Sequence, residues 1–347
     1  MPVTSSARDR RVDAPAARQL TCPVTITCPM SRASSSRLRR LYPWIGVAVF
    51  TLAAFLIYRA LRPYSIEEIR ASVGAISLHH LALGALFTAG SFLCLSGNET
   101  LAVRYTGRRL PYRNIALTSF VSLSIGHTLG FAGFSSGAVR FRFYTGWGLS
   151  AGDVARIIVF CSLTVLLGLL TLGGIACLLG PRLVARTFGA APGIVIVVGC
   201  LLIGLVTLYL LLAAVIRLPI RIRHFELPLP PLRLALGQVA FGTADFMMVS
   251  AVLHQMLSAS SEVGYFPVAA GYVVANSAAI MSHVPGGLGV IEAVMLALVP
   301  GARVVGALVA FRVVYFLIPF FIGLLVFGVC EYIRRQRRIA AAERAAG

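Results

Sequence analysis

GIVIVVGCLLIGLVTLYLLLAAVI, residues 193–216, runs for 24 residues without a charged side chain. At about 1.5 Å of rise per residue, a helix of that length exceeds the roughly 30 Å hydrocarbon core of a bilayer. The stretch reads as a membrane-crossing helix, and it has company. VARIIVFCSLTVLLGLLTLGGIACLLG (154–180) precedes it, and further apolar runs lie near 44–61, 77–98, 114–133, 234–257, 264–283 and 305–330. That spacing predicts eight spans. The whole chain of 347 residues agrees: it is 58% hydrophobic and 12% charged, with a mean hydropathy of +0.86, whereas soluble domains carry about 25% charge. An ordinary soluble enzyme, a collagen-like chain, a disulfide scaffold and a disordered protein are excluded. The expected fold class is an all-α polytopic membrane protein.

The charge is lopsided. All 31 basic residues are Arg, against 12 acids, for a net charge of +19. Residues 1–42, rich in Arg, Ser, Ala and Pro, read as a disordered basic tail, with Met30 as an alternative start. The membrane domain is expected over 43–333 and a basic cytoplasmic tail over 334–347. With both termini cytoplasmic, inside segments hold 19 Arg and outside segments 9, while Arg59, Arg156 and Arg312 fall within spans. That bias favours this orientation. The exceptions, Arg140, Arg142 and the cluster in 217–233, mark candidate re-entrant or functional segments. A nucleic-acid partner is not expected, because no soluble domain presents a basic face. The 7 cysteines are scattered through the chain, several of them in apolar runs, and form neither a disulfide framework nor a metal site. Ser65 and Glu68 form a capping-box pattern ahead of the second span.

The chain repeats itself. Leu81-Ala82-Leu83-Gly84 recurs as Leu234-Ala235-Leu236-Gly237, and each is followed by a membrane acid, Glu99 or Asp245. His127 and His283 each open a Gly-rich break, and Ala151–Phe160 mirrors Ala302–Phe311. Half-repeats are therefore expected at about 44–180 and 193–330. Paired broken segments in two halves are the sequence pointer to a transporter's binding site.

The first break is HTLGFAGFSSGAVRFRFYTGW (127–147), where Gly130, Gly133 and Gly137 are expected to interrupt helix just before Arg140 and Arg142. Guanidinium forks beside free backbone N–H groups suit a lipid phosphate; snorkelling to the interface is the simpler alternative. Gly133-Phe134-Ser135-Ser136-Gly137 fits the spacing of an esterase elbow but lacks the strand that motif requires. The second break is SHVPGGLGVIE (282–292): Pro285 stops the helix, Gly286, Gly287 and Gly289 permit a tight hairpin, and Glu292 heads the next apolar run. Both breaks are expected to be re-entrant hairpins. Glu99, Asp245 and Arg312 lie inside apolar segments, where ionisable groups are costly and point to function or to helix pairing. His254 is expected to be packed or interfacial.

SSGAVRFRFYTGWGLSAGDVARIIVF (135–160), SHVPGGLGVIEAVML (282–296) and AFRVVYFLIPFFIGLL (310–325) resemble the membrane flippase region of bacterial lysylphosphatidylglycerol synthase/flippases, the multiple peptide resistance factors. The likeness is collinear over about 44–333, and the hairpin with the FRVVY segment is its most specific part. Stand-alone members of the wider family, some linked to hopanoid transport, share the hairpin. Full-length members add further spans and a cytosolic aminoacyl-tRNA-dependent transferase domain, whereas this chain stops at Gly347. The resemblance therefore implies only the translocation half: a phospholipid flippase, not an enzyme, with no cofactor or metal. Its implied substrate is an anionic or aminoacylated phospholipid of the bacterial inner membrane. Arg140, Arg142 or Arg312 would take the phosphate, and Glu99, Asp245 or Glu292 the ammonium; His283, Pro285, Gly286, Gly287 and Gly289 would shape the hairpin. The alternative is a non-transporting accessory or scaffold subunit whose partner is a separate lipid-modifying enzyme. A membrane-embedded enzyme ranks below both, because no nucleophile–base pair is evident.

Overall fold

The computed structural model describes residues 67, 74, 76–129, 132–215, 219–222, 225–259, 262–282, 287–298 and 302–346. The expected first span at 44–61, the tail at 1–42, and the capping-box residues Ser65 and Glu68 lie outside these. Helices α1 (Leu78–Tyr105), α2 (Tyr112–Leu129), α3 (Ala132–Gly146) and α4 (Ala151–Leu179) are followed by a short α5 (Pro181–Phe188) and by α6 (Pro192–Val215). Strands β1 (Pro219–Ile222) and β2 (Phe225–Pro228) pair as an antiparallel hairpin within the Arg-rich 217–233 segment. Then come α7 (Leu232–Ser258), α8 (Tyr265–Ser282), α9 (Val290–Leu298) and α10 (Ala302–Phe311). A π turn over Arg312–Leu317 continues α10 into α11 (Ile318–Ala346), so the expected basic tail extends that helix.

Among the described residues, α1, α4, α6, α7 and the 304–336 stretch are long and apolar enough to cross a membrane. In lipid every backbone polar group must be satisfied internally, which is why apolar runs of this kind become helices. Polar side chains in them find the same solution: Thr88, Thr118, Thr164 and Thr171 each donate to the carbonyl four residues back. Helix α6 exposes Ile194, Val197, Leu201, Leu208 and Leu211, as a lipid-facing helix does.

The element boundaries repeat. Leu78 and Leu232 open α1 and α7, Tyr112 and Tyr265 open α2 and α8, Leu129 and Ser282 close them, and Ala151 and Ala302 open α4 and α10. Helices α1 and α7 pack antiparallel: Gly84 faces Val252 and Met256, Gly90 faces Met248, Gly97 faces Phe241, and Gly237 faces Leu101. Because α1 and α7 are repeat equivalents, their antiparallel pairing inverts one half relative to the other. Small residues at these contacts let the backbones approach, the usual basis of helix association in lipid.

The expected spans at 114–133 and 264–283 are arms of helical hairpins. Helix α3 folds back on α2, with Gly126 against Ser136, and α9 folds back on α8, with Gly271 against Met295 and Leu298. With 9 residues, α9 rises only about 13 Å, far short of a bilayer. The first break is much narrower than expected: Gly133 and Gly137 are helical within α3, and only residues 130 and 131 separate the arms in the described structure. Ser135 of the elbow-like spacing is helical too.

The tightest backbone contact joins α4 to α7. A Cβ added at Gly242 would lie 2.6 Å from the Thr164 carbonyl oxygen, and one at Gly168 would lie 2.6 Å from Gly242. Gly242→Val should therefore push these helices apart and cost about 1–3 kcal/mol or more. Gly204→Ala on α6, where nothing lies within 4 Å of the added Cβ, should leave thermal unfolding in detergent unchanged or slightly improved. Equal melting temperatures for the two variants would contradict this packing.

Candidate functional site

Among the described residues, three buried or half-buried clusters hold the acids and arginines expected inside the membrane. In the first, Arg140 of α3 meets Glu99 of α1 through two parallel bonds, Nε to Oε1 at 2.8 Å and Nη2 to Oε2 at 2.8 Å. Arg140 also donates through Nη1 to the Ser136 hydroxyl at 3.0 Å. Tyr144 donates to Glu99 Oε1 at 3.0 Å, and the Cys161 thiol of α4 to Oε2 at 3.5 Å. Ser136, Arg140 and Tyr144 fall four residues apart, so α3 presents them on one face. The side chains of the pair are 4% and 1% exposed. Arg140 and Glu99, expected to face phosphate and ammonium respectively, are thus spent on each other and weld α3 to α1.

The second cluster lies at the other hairpin. Arg312 opens the π turn and donates Nε to Glu292 Oε1 at 2.7 Å and Nη2 to Oε2 at 3.0 Å. Nη2 also reaches the Gly287 carbonyl at 2.9 Å, and the guanidinium lies 5.0 Å over the Phe316 ring. Glu292, in the first turn of α9, accepts the Gly289 N–H at 2.9 Å. Gly287 and Gly289 have φ of +60° and +80°, the left-handed region in which glycine is favoured. His283, Pro285 and Gly286 lie outside the described residues. This pair is more open than the first, with side chains 12% and 14% exposed. The two halves thus use the same bidentate device with reversed polarity: the returning arm carries Arg140 in one and Glu292 in the other.

Asp245 sits at mid-length of α7, 7% exposed. Ser91, at mid-length of α1, donates to its Oδ1 at 2.5 Å, and the Tyr315 hydroxyl lies 3.1 Å from Ser91 Oγ. The His127 ring stacks on Tyr315 with centroids 6.3 Å apart. Glu99 and Asp245 are not equivalents across the repeat; the Leu-Ala-Leu-Gly offset places Phe92 opposite Asp245. The antiparallel register also brings α1 and α7 face to face near Phe92 and Asp245, so Asp245 lies on the pseudo-two-fold axis.

Arg142 is set apart from all three clusters. It donates Nη2 to Glu331 of α11 at 2.7 Å, beside Arg334. His254 bonds the Val263 carbonyl and Ser258, a packing role. Asn98 is buried and accepts from Thr164. The residues that sequence reasoning missed are the hydroxyls: Ser91, Ser136, Tyr144 and Tyr315. For Ser136 and Tyr144 the signal was spacing, four either side of Arg140; Ser91 and Tyr315 carry none. Ser150 and Asp153 also form an unanticipated capping box that starts α4.

No protein-family model matches the chain. Inner membrane protein YbhN of Escherichia coli (strain K12) is 26% identical over 281 residues, covering 79% of this chain and 84% of that protein. Uncharacterized protein slr0712 of Synechocystis sp. is 33% identical over 304 residues, covering 85% of this chain and 93% of that one. At that identity over nearly the full length of both, the chain belongs to the same family of multi-pass membrane proteins as slr0712.

Proposed function

We propose that the protein is a phospholipid translocase that moves an aminoacylated or related anionic lipid between the leaflets of the bacterial inner membrane, with both termini cytoplasmic. The observation that carries this reading is the partly exposed Arg312–Glu292 pair at the second hairpin. An aminoacylated phosphatidylglycerol headgroup offers one phosphate and at least one ammonium. If the pair parts, Arg312 receives the phosphate in a charge-assisted fork and Glu292 receives the ammonium. One ion pair is exchanged for two, so neither charge is stranded in a poorly solvated site.

The setting supports the same reading. Inverted halves, each with a broken hairpin, are the architecture of transporters that alternate access around a site near the midplane. The sealed Arg140–Glu99 pair then serves as a strut holding the first hairpin while the second engages lipid. The similarity to YbhN, which is described as an inner membrane protein, supports the location. Mass spectrometry of lipids retained by the purified protein tests substrate binding. The expected result is enrichment of an anionic or aminoacylated lipid over the bulk membrane, reduced in Arg312→Gln protein that remains monodisperse. Retained lipid with the bulk composition in both proteins counts against the reading.

A further inference from the structure

We propose that Asp245 is a proton-binding site whose protonation couples lipid movement to a proton gradient; the coupling half of this inference rests on the translocation reading above. A carboxylate this deeply buried needs either a cation or a proton. Among the described residues, no ion pair reaches Asp245. Of the elements packed on α7, α1 brings Ser91 and Cys94, α8 brings Tyr272, and the π turn brings Tyr315. Helix α2 reaches Tyr315 with His127. Arg312 is bonded to Glu292. Cys161 of α4 and Tyr209 of α6 are committed to Glu99 and Gln238, and α10 packs with apolar Val304, Ala307, Leu308 and Phe311. Asp245 is therefore surrounded by hydroxyl, thiol and apolar groups.

The geometry supplies both a path and a lever. Tyr315, Ser91 and Asp245 form a continuous hydroxyl chain, 3.1 Å then 2.5 Å, with His127 stacked at its end. A proton from water on one side forms an O–H bond at the Asp245 carboxylate, and the same bond breaks to water on the other side. No redox partner or other reactant enters. The chain draws Ser91 and His127 from the first half and Asp245 and Tyr315 from the second, and it crosses the axis about which the inverted halves are related. A π turn sits beside it, the kind of helix irregularity found at functional sites. The charge at Asp245 thus acts on the contact that must rearrange when one half moves against the other.

Two measurements on full-length protein test the proposal. Infrared pH titration of purified wild-type protein, Asp245→Asn and the double variant Glu99→Gln with Arg140→Met, which strands no charge, reads the carbonyl stretch of a protonated carboxylic acid directly. A titrating band present in wild type and in the double variant but lost in Asp245→Asn is expected; an unchanged spectrum in Asp245→Asn overturns the proton site. Asn keeps the shape and can still accept from Ser91, and monodispersity on size exclusion confirms folding. In parallel, vesicles of phosphatidylethanolamine and phosphatidylglycerol with a trace of fluorescent phosphatidylglycerol or fluorescent lysylphosphatidylglycerol are reconstituted with each protein and given a pH gradient. Faster lipid movement under the gradient in wild type, lost in Asp245→Asn, is expected. Wild-type movement that ignores the gradient overturns the coupling alone. No movement of either lipid by wild type at any pH overturns the translocation reading and the coupling with it, while the infrared result still decides the proton site.

Discussion

Arg140→Ala should be the most damaging single substitution in the protein. It removes the guanidinium that holds both oxygens of Glu99, leaving a carboxylate with 1% side-chain exposure attended, among the described residues, by Tyr144 and Cys161 alone. Breaking a buried pair from one side typically costs about 3–5 kcal/mol, enough to abolish folding in a marginally stable domain. The expected readout is loss of the monodisperse peak, or a large fall in thermal midpoint, in detergent. The double variant Glu99→Gln with Arg140→Met should recover most of that loss, because no charge is then stranded. A double variant as unstable as Arg140→Ala would mean that the damage comes from packing.

Arg312→Ala should act differently. The side chains of this pair are 12% and 14% exposed, so water can relieve part of the stranded charge on Glu292. The stability loss should be nearer about 1.5–3 kcal/mol, the scale of hydrogen bonds to charged groups. The effect on lipid movement should be far larger, since the proposed phosphate receptor is gone and the Gly287 carbonyl loses its donor. Glu292→Ala should likewise impair movement, and it releases the Gly289 N–H that fixes the hairpin. Thermal midpoints together with transport rates, measured on the same preparations, check this division. Arg312→Ala protein that melts like wild type and transports normally would remove the second hairpin from the mechanism.

Much of the scaffold was legible because lipid imposes simple rules. Uncharged runs such as 193–216 could only be helices, and the Leu-Ala-Leu-Gly echo exposed the duplication. The inversion was not legible, since it depends on which faces of α1 and α7 meet, and the glycines that decide it are scattered among other small residues. The fold-back of α9 on α8 was legible in part from Gly287 and Gly289, whereas the first break was read too broadly: Gly133 and Gly137 tolerate helix when Ser136 and Arg140 lock its neighbours to α2 and α1. Glu99, Asp245, Glu292, Arg140 and Arg312 stand out in the sequence as charges in or beside apolar runs, but their pairing was hidden. Arg140 and Glu99 stand 41 residues apart, and only the fold shows that they satisfy each other. Helix hydroxyls such as Ser91 and Tyr315 are common in membrane helices and acquire meaning only from the acid they reach.

The most direct test of the proposed lipid translocation is a leaflet-resolved assay in proteoliposomes, in which fluorescent phosphatidylglycerol or lysylphosphatidylglycerol in the outer leaflet is chemically quenched over time. Wild-type protein should raise the transbilayer rate well above that of empty vesicles, and Arg312→Ala should return it to the empty-vesicle rate. Wild-type rates equal to those of empty vesicles for both lipids, with lipid still retained on the purified protein, would contradict translocation and leave a lipid-binding accessory subunit in its place.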